Sequence, residues 1–154
     1  MAKDSSIDRN RLFIPQLAGL YQRLSPFGYA FTRFSTGAIL LPHGIVKLLN
    51  MDVVRSAAGI ERRGLPFALA LAYLTVFAES FGALFLALGL FTRVMAVMIG
   101  IEMIVIVFFW QWENGYLWTN KGYEFALLWF LLCVGIFFRG GGRYSLDRLI
   151  GKEF

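Results

Sequence analysis

Residues that hold metals or form disulfides are almost absent from this sequence, which has one cysteine, Cys133, and one histidine, His43. A lone cysteine excludes an intramolecular disulfide and belongs to no C-x-x-C pair. Set among Leu132, Val134 and Phe138, it reads as a packing residue, since free cysteine is usually buried. A single histidine excludes a bis-histidine haem within one protomer. No Glu-x-x-His pair is present for a carboxylate-bridged di-iron centre. Nothing clusters for zinc or iron–sulfur binding, and Gly140, Gly141 and Gly142 fit no nucleotide-binding pattern. With no metal, haem or nucleotide motif, any electron transfer requires a bound organic cofactor or a partner.

Charge is also scarce. Charged residues make up 16% of the 154 residues, against 58% hydrophobic, where a soluble domain carries about 25% charged. The formal net charge of +5 does not point to nucleic acid, because the basic residues flank apolar runs instead of forming a patch. That placement suits anionic lipid headgroups. At about 17–25 residues per span, the chain has room for four spans and no separate soluble domain. The expected fold is therefore all-α, an integral membrane four-helix bundle with spans at about 27–49, 66–90, 94–112 and 123–138. Ser25-Pro26 would cap the first span, Thr92 the third, and the triple glycine would end the fourth.

Outside the spans, residues 1–26 are expected to form a polar tail and an N-terminal amphipathic interfacial helix. In that helix Leu12, Phe13, Leu17, Leu20, Tyr21 and Leu24 make an apolar stripe flanked by Arg11 and Arg23. The start does not resemble a cleaved signal peptide. Residues 139–154 form a basic tail with a short amphipathic turn. Nine basic residues (Lys3, Arg9, Arg11, Arg23, Arg93, Arg139, Arg143, Arg148, Lys152) fall on the side of the termini, against four (Arg55, Arg62, Arg63, Lys121) in the opposite loops. By the positive-inside rule this makes a multi-pass protein with both termini cytoplasmic. Trp110, Trp112, Tyr116 and Trp118 then lie at the outer interface, as an aromatic belt or as a ligand-stacking platform.

Polar groups inside the apolar runs carry the functional signal, because each costs about 2.5–3.5 kcal/mol at a span's centre and should face the bundle interior. Glu79 and Glu102 sit mid-span on antiparallel neighbours. His43, in the outer half of the first span, shares a face with Lys47 one turn on. The expected groupings are a midplane cluster of Glu79, Glu102 and His43, and an outer ion pair of Lys47 with Glu124. Arg33 is expected to snorkel to the cytoplasmic headgroups. Gly37 and Gly44, and Gly82 with Ala83, permit close helix approach on the same inward faces. Two close carboxyls in low dielectric favour one shared, displaceable proton, which suits quinone chemistry or proton-coupled transport. His43 would exchange protons or hydrogen-bond a quinone. The alternative is that these groups only join helices.

Four segments taken together resemble the DoxX family of small bacterial and archaeal membrane proteins. They are HGIVKL in the first span, ESFGALFLALGLFTR at the second, KGYEFALL opening the fourth and GGGRYSLD after it. The resemblance covers roughly residues 27–148. It implies a four-helix bundle in the inner (cytoplasmic) membrane and association with membrane oxidoreductases. Family-like polar positions would be His43, Lys47, Glu79, Arg93, Glu124, Arg143 and Asp147, whereas Glu102 stands on depth alone. The expected function is a quinone-linked subunit of an oxidoreductase complex. Glu79, Glu102 and His43 would handle protons, and His43, Lys47, Glu79 and Glu124 would hold the cofactor. The alternatives are a non-catalytic scaffold or assembly factor and a small proton-coupled transporter. Partners are the lipid membrane and protein subunits or further copies of the chain.

Overall fold

The computed structural model describes residues 7–50 and 52–153. Most of the polar start of the chain, residues 1–6, lies outside them. The described residues form helices and no strands. Six helices follow in order: α1 (Ala18–Leu49), α2 (Val53–Arg62), α3 (Ala68–Leu88), α4 (Thr92–Asn114), α5 (Glu124–Arg139) and α6 (Leu146–Ile150). Helices α3 and α4 are each long and apolar enough to cross a membrane. The bent pair Pro15–Leu49 and Val53–Arg62, turning through 102°, offers a third candidate. Outward faces are strongly apolar, with Phe31, Phe34, Leu69, Tyr73, Phe108 and Leu131 all exposed, as expected of a surface that meets lipid.

Two expectations at the N-terminal end are corrected. Ser25-Pro26 is not a helix start, since Pro26 and Pro42 both lie inside α1, which runs unbroken from Ala18. Proline removes one hydrogen bond and crowds the preceding turn, but packing of α1 along α3 holds the helix together. Among the described residues, an interfacial helix separate from the first span is therefore not seen. Residues 9–11 and 15–17 form only short 3-10 turns before α1 begins.

Helix α1 packs along α3, and α4 packs along α5. The core they share contains Leu86, Ile99, Ile136 and Cys133, all almost fully buried. Small residues set the α1–α3 distance. A Cβ at Gly44 would run into the backbone of Glu79 and Ser80, and one at Gly37 into that of Ala83 and Ala87. The two glycines act as expected, as close-approach positions two turns apart.

At one end the C-terminal segment folds back and ties the bundle together. Arg33 is buried and does not snorkel. Its guanidinium donates to the carbonyls of Leu86 (3.1 Å), Ala87 (3.3 Å) and Tyr144 (2.7 Å), and to that of Gly141. Leu86 and Ala87 belong to the last turn of α3, where carbonyls lack helical partners and the dipole favours a cation. Gly89, at φ +71°, turns the chain out of α3, and a Cβ there would strike the Arg33 guanidinium. Asp147, also buried, accepts from Phe91 N–H (2.7 Å), Thr92 N–H (2.9 Å) and the Thr92 hydroxyl (2.7 Å). The cap on α4 thus comes from the far end of the chain, not from Thr92 itself. Residues 139–153 are accordingly docked on the α3–α4 turn, with Glu153 3.6 Å from Arg93.

Candidate functional site

Helix α3 loses its α-helical register at Ala78–Gly82, a π segment that carries Glu79. Such a bulge inserts an extra residue and rotates the side chains after it. The absence of a side chain at Gly44 lets α1 lie against this segment, and Lys47, three residues further on, reaches across the gap. Lys47 Nζ stands 2.6 Å from Glu79 Oε2, with Glu79 almost fully buried. The contact is short but off hydrogen-bond geometry, so it is best described as an ion pair.

This pairing corrects the expected partnership of Lys47 with Glu124. Glu124 instead starts α5 and turns back into its own loop, where Oε2 accepts from Trp118 N–H at 3.2 Å. Its backbone N–H donates to Tyr116 O at 3.1 Å. His43 is also displaced from its expected place. It lies on an exposed part of α1 and lines no part of the cavity described below. Of the expected midplane cluster, only Glu79 and Glu102 come together, close enough with Lys47 for electrostatic interaction.

Glu102 is the unusual group. Both of its carboxyl oxygens are buried, and neither has a hydrogen-bond partner among the described residues. The Thr75 hydroxyl approaches it without reaching hydrogen-bonding geometry. An unpartnered buried carboxyl is costly, on the order of 1–3 kcal/mol even for a neutral group and more when charged. Glu102 lines a half-open cavity of about 810 Å³ bordered by α2, the end of α1, α3 and α4. Leu71, Leu74, Ile101 and Val105 make its walls apolar. Lys47, Arg55, Asn114 and Lys121 border it as well. A second unpartnered acceptor, Gln111 Oε1, belongs to a residue of the same cavity. Nine helical steps separate Gln111 from Glu102, roughly 13 Å along the axis.

Helix α2 forms one side of this space, where the sequence suggested only a connecting loop. Its signal is an amphipathic pattern in which Ile60 turns inward and is buried while Glu61 and Arg62 face out. At ten residues, it is too short to stand out between two spans. Past its end, Arg63 donates to Phe109 O and lies over the Trp110 ring at 5.7 Å. This fastens the α2 end to the π segment Ile106–Gln111 of α4. Trp110 therefore borders the cavity, whereas Trp112 stacks between Phe108 and Tyr123 at 5.2 Å from each.

The comparisons with known proteins agree with these helices. The DoxX family model matches residues 28–112, a stretch that holds Lys47, Glu79 and Glu102 together with α2. The chain belongs to the DoxX family. An uncharacterized protein of Haemophilus influenzae is 30% identical over 135 residues, which is 86% of this chain and 97% of that protein. No solved structure matches. In this DoxX protein, then, the site comprises a half-buried ion pair, an unpartnered carboxyl and an apolar cavity bordered by an amphipathic helix.

Proposed function

We propose that this DoxX protein is a multi-pass inner-membrane subunit that holds an isoprenoid quinone beneath α2 and works with a membrane oxidoreductase. The observation that carries the reading is the pairing of an apolar cavity of about 810 Å³ with a buried carboxyl that has no partner. Ligand sites are mostly apolar with a few placed polar groups, and volumes of about 300–1,000 Å³ suit molecules of this size. The residues fit a quinone. Leu71, Leu74 and Ile101 offer walls for a flat ring and its tail, while Glu102 and Lys47 lie where ring oxygens need polar partners. When bound, a quinone supplies reversible two-electron, two-proton chemistry. The chain's own part is to position the ring and to accept and release a proton at Glu102. His43 has no role in this version of the site, and Glu124 serves its loop.

The accompanying topology has four helices crossing the bilayer with both termini cytoplasmic, supported by the nine-to-four distribution of basic residues. Helix α5, with 16 residues, is about 24 Å long against a hydrocarbon core of about 30 Å. The aromatic loop before it would complete its crossing. The cavity then opens in the outer half of the membrane.

The test is the quinone content of protein purified in a mild detergent, compared among wild type, Glu102→Leu and His43→Ala. Near-stoichiometric quinone is expected in wild type and His43→Ala and little in Glu102→Leu. Quinone-free wild type would remove the reading and leave the scaffold function to be pursued through co-purifying proteins.

A further inference from the structure

We infer that the cavity selects the hydroquinone over the oxidised quinone, an inference that rests on the quinone reading above. The reason lies in counting donors and acceptors around Glu102. Glu102 contributes two buried oxygens that nothing in the described residues satisfies. As a carboxylate it can only accept hydrogen bonds, and as an acid it has one donor and still an acceptor to fill. Thr75 has one hydroxyl proton and so can serve one of these oxygens at most. Lys47 has three N–H donors and directs its ammonium at Glu79.

An oxidised quinone presents carbonyl oxygens alone. It can take a hydrogen bond from Lys47, or from Glu102 when that group carries a proton, yet it can give none to an ionised Glu102, whose desolvation then stays uncompensated. A hydroquinone oxygen both donates and accepts. It can accept from Lys47 on one side and donate to Glu102 on the other, and it satisfies Glu102 in either protonation state. Apolar walls strengthen the discrimination, since an unmet polar group inside them finds no water in exchange.

The experiment uses the full chain in lipid nanodiscs, with decylubiquinone and its chemically reduced hydroquinone as probes, each titrated by equilibrium dialysis under argon. The two forms differ by two electrons and two protons, both supplied by the reductant and buffer before binding. Wild type is expected to bind the hydroquinone at least tenfold more tightly. For a two-electron couple this raises the midpoint potential of the bound pair by about 30 mV, which a redox titration checks independently. Glu102→Leu removes an unpaired buried carboxyl, so its fold should be retained, as a thermal melt will show. In that variant the ratio should fall to within about threefold. Equal affinities in wild type, or a ratio unchanged by Glu102→Leu, overturn the selectivity while leaving quinone binding intact. Binding of neither form by wild type overturns the quinone reading itself and the selectivity with it.

Discussion

Two buried charges at the closed end show how much one side chain can hold in place. Arg33 serves four carbonyls from three parts of the chain, a task that depends on the planar, many-donor guanidinium. Arg33→Lys keeps the charge yet cannot span those acceptors, and a loss of about 2–3 kcal/mol is expected from the carbonyls left unpaired. Asp147→Ala strips three donors at the start of α4 of their acceptor and should cost on the order of 3 kcal/mol. Unfolding by steric trapping in bicelles would measure both. At the other end, Lys47 and Glu79 differ in exposure, 30% against 6% for their side chains, so breaking the pair leaves the more buried member stranded. Lys47→Met should therefore destabilise by about 3 kcal/mol, and Lys47→Met with Glu79→Gln by clearly less. A double-mutant cycle reads the coupling directly. A double variant as unstable as the sum of its parts would mean the pair contributes nothing as a pair.

At the scale of the element, departures from ideal helices do the positioning. The π segment in α3 coincides with Glu79, and the one in α4 with the stretch that Arg63 grips. Gly44 lets α1 lie against the first of these. Gly44→Leu places a large side chain where the Glu79 and Ser80 backbone stands, so α1 and α3 must separate. The expected result is a fold destabilised by at least about 2 kcal/mol and loss of the Lys47–Glu79 contact. A crosslink between cysteines placed at positions 40 and 83 would report the separation. Helix α2 bears on the ligand more than on the fold. Because Arg63 is exposed, Arg63→Ala should leave stability within about 1 kcal/mol while raising the rate at which a bound quinone analogue dissociates, measured by stopped-flow displacement. An unchanged rate would mean that α2 is not a closure.

For the whole molecule the issue is sidedness. The closed end, with Arg33, Asp147 and the turn at Gly89, is opposite the cavity end, with α2, Lys47 and Lys121. Single cysteines at Arg55→Cys and Tyr144→Cys, in a Cys133→Ala background, separate the two orientations. A membrane-impermeant maleimide added to intact cells is expected to label position 55 and not position 144. The reverse pattern would invert the topology. Native Cys133, at 1% exposure in the core, should stay unlabelled in either case. Much of this arrangement was legible beforehand. Long apolar runs marked α3, α4 and α5 within a few residues, and Gly37 and Gly44 pointed to the α1–α3 contact. Less legible were the start of α1, where Ser25-Pro26 carries a start signal that packing overrides, and α2, whose ten residues hold few apolar positions.

Hydropathy and periodicity alone determined that this chain is helical and that it belongs in a membrane. Both depend on composition and on 3.6-residue periodicity, which are local properties. Glu79 and Glu102 could be singled out for the same reason, since an acid in an apolar run is conspicuous wherever the run ends up. Their partners could not. The assignment of Lys47 to Glu79 instead of Glu124 depends on the rotation imposed by a π segment and on how closely Gly44 lets two helices approach. The placement of His43 away from the cavity depends on which face of α1 turns outward. Arg33 and Asp147 acquire their roles only when residue 147 meets residue 91 across the bundle. Such pairings are set by three-dimensional packing, where a shift of one residue around a helix turns a side chain by about 100°.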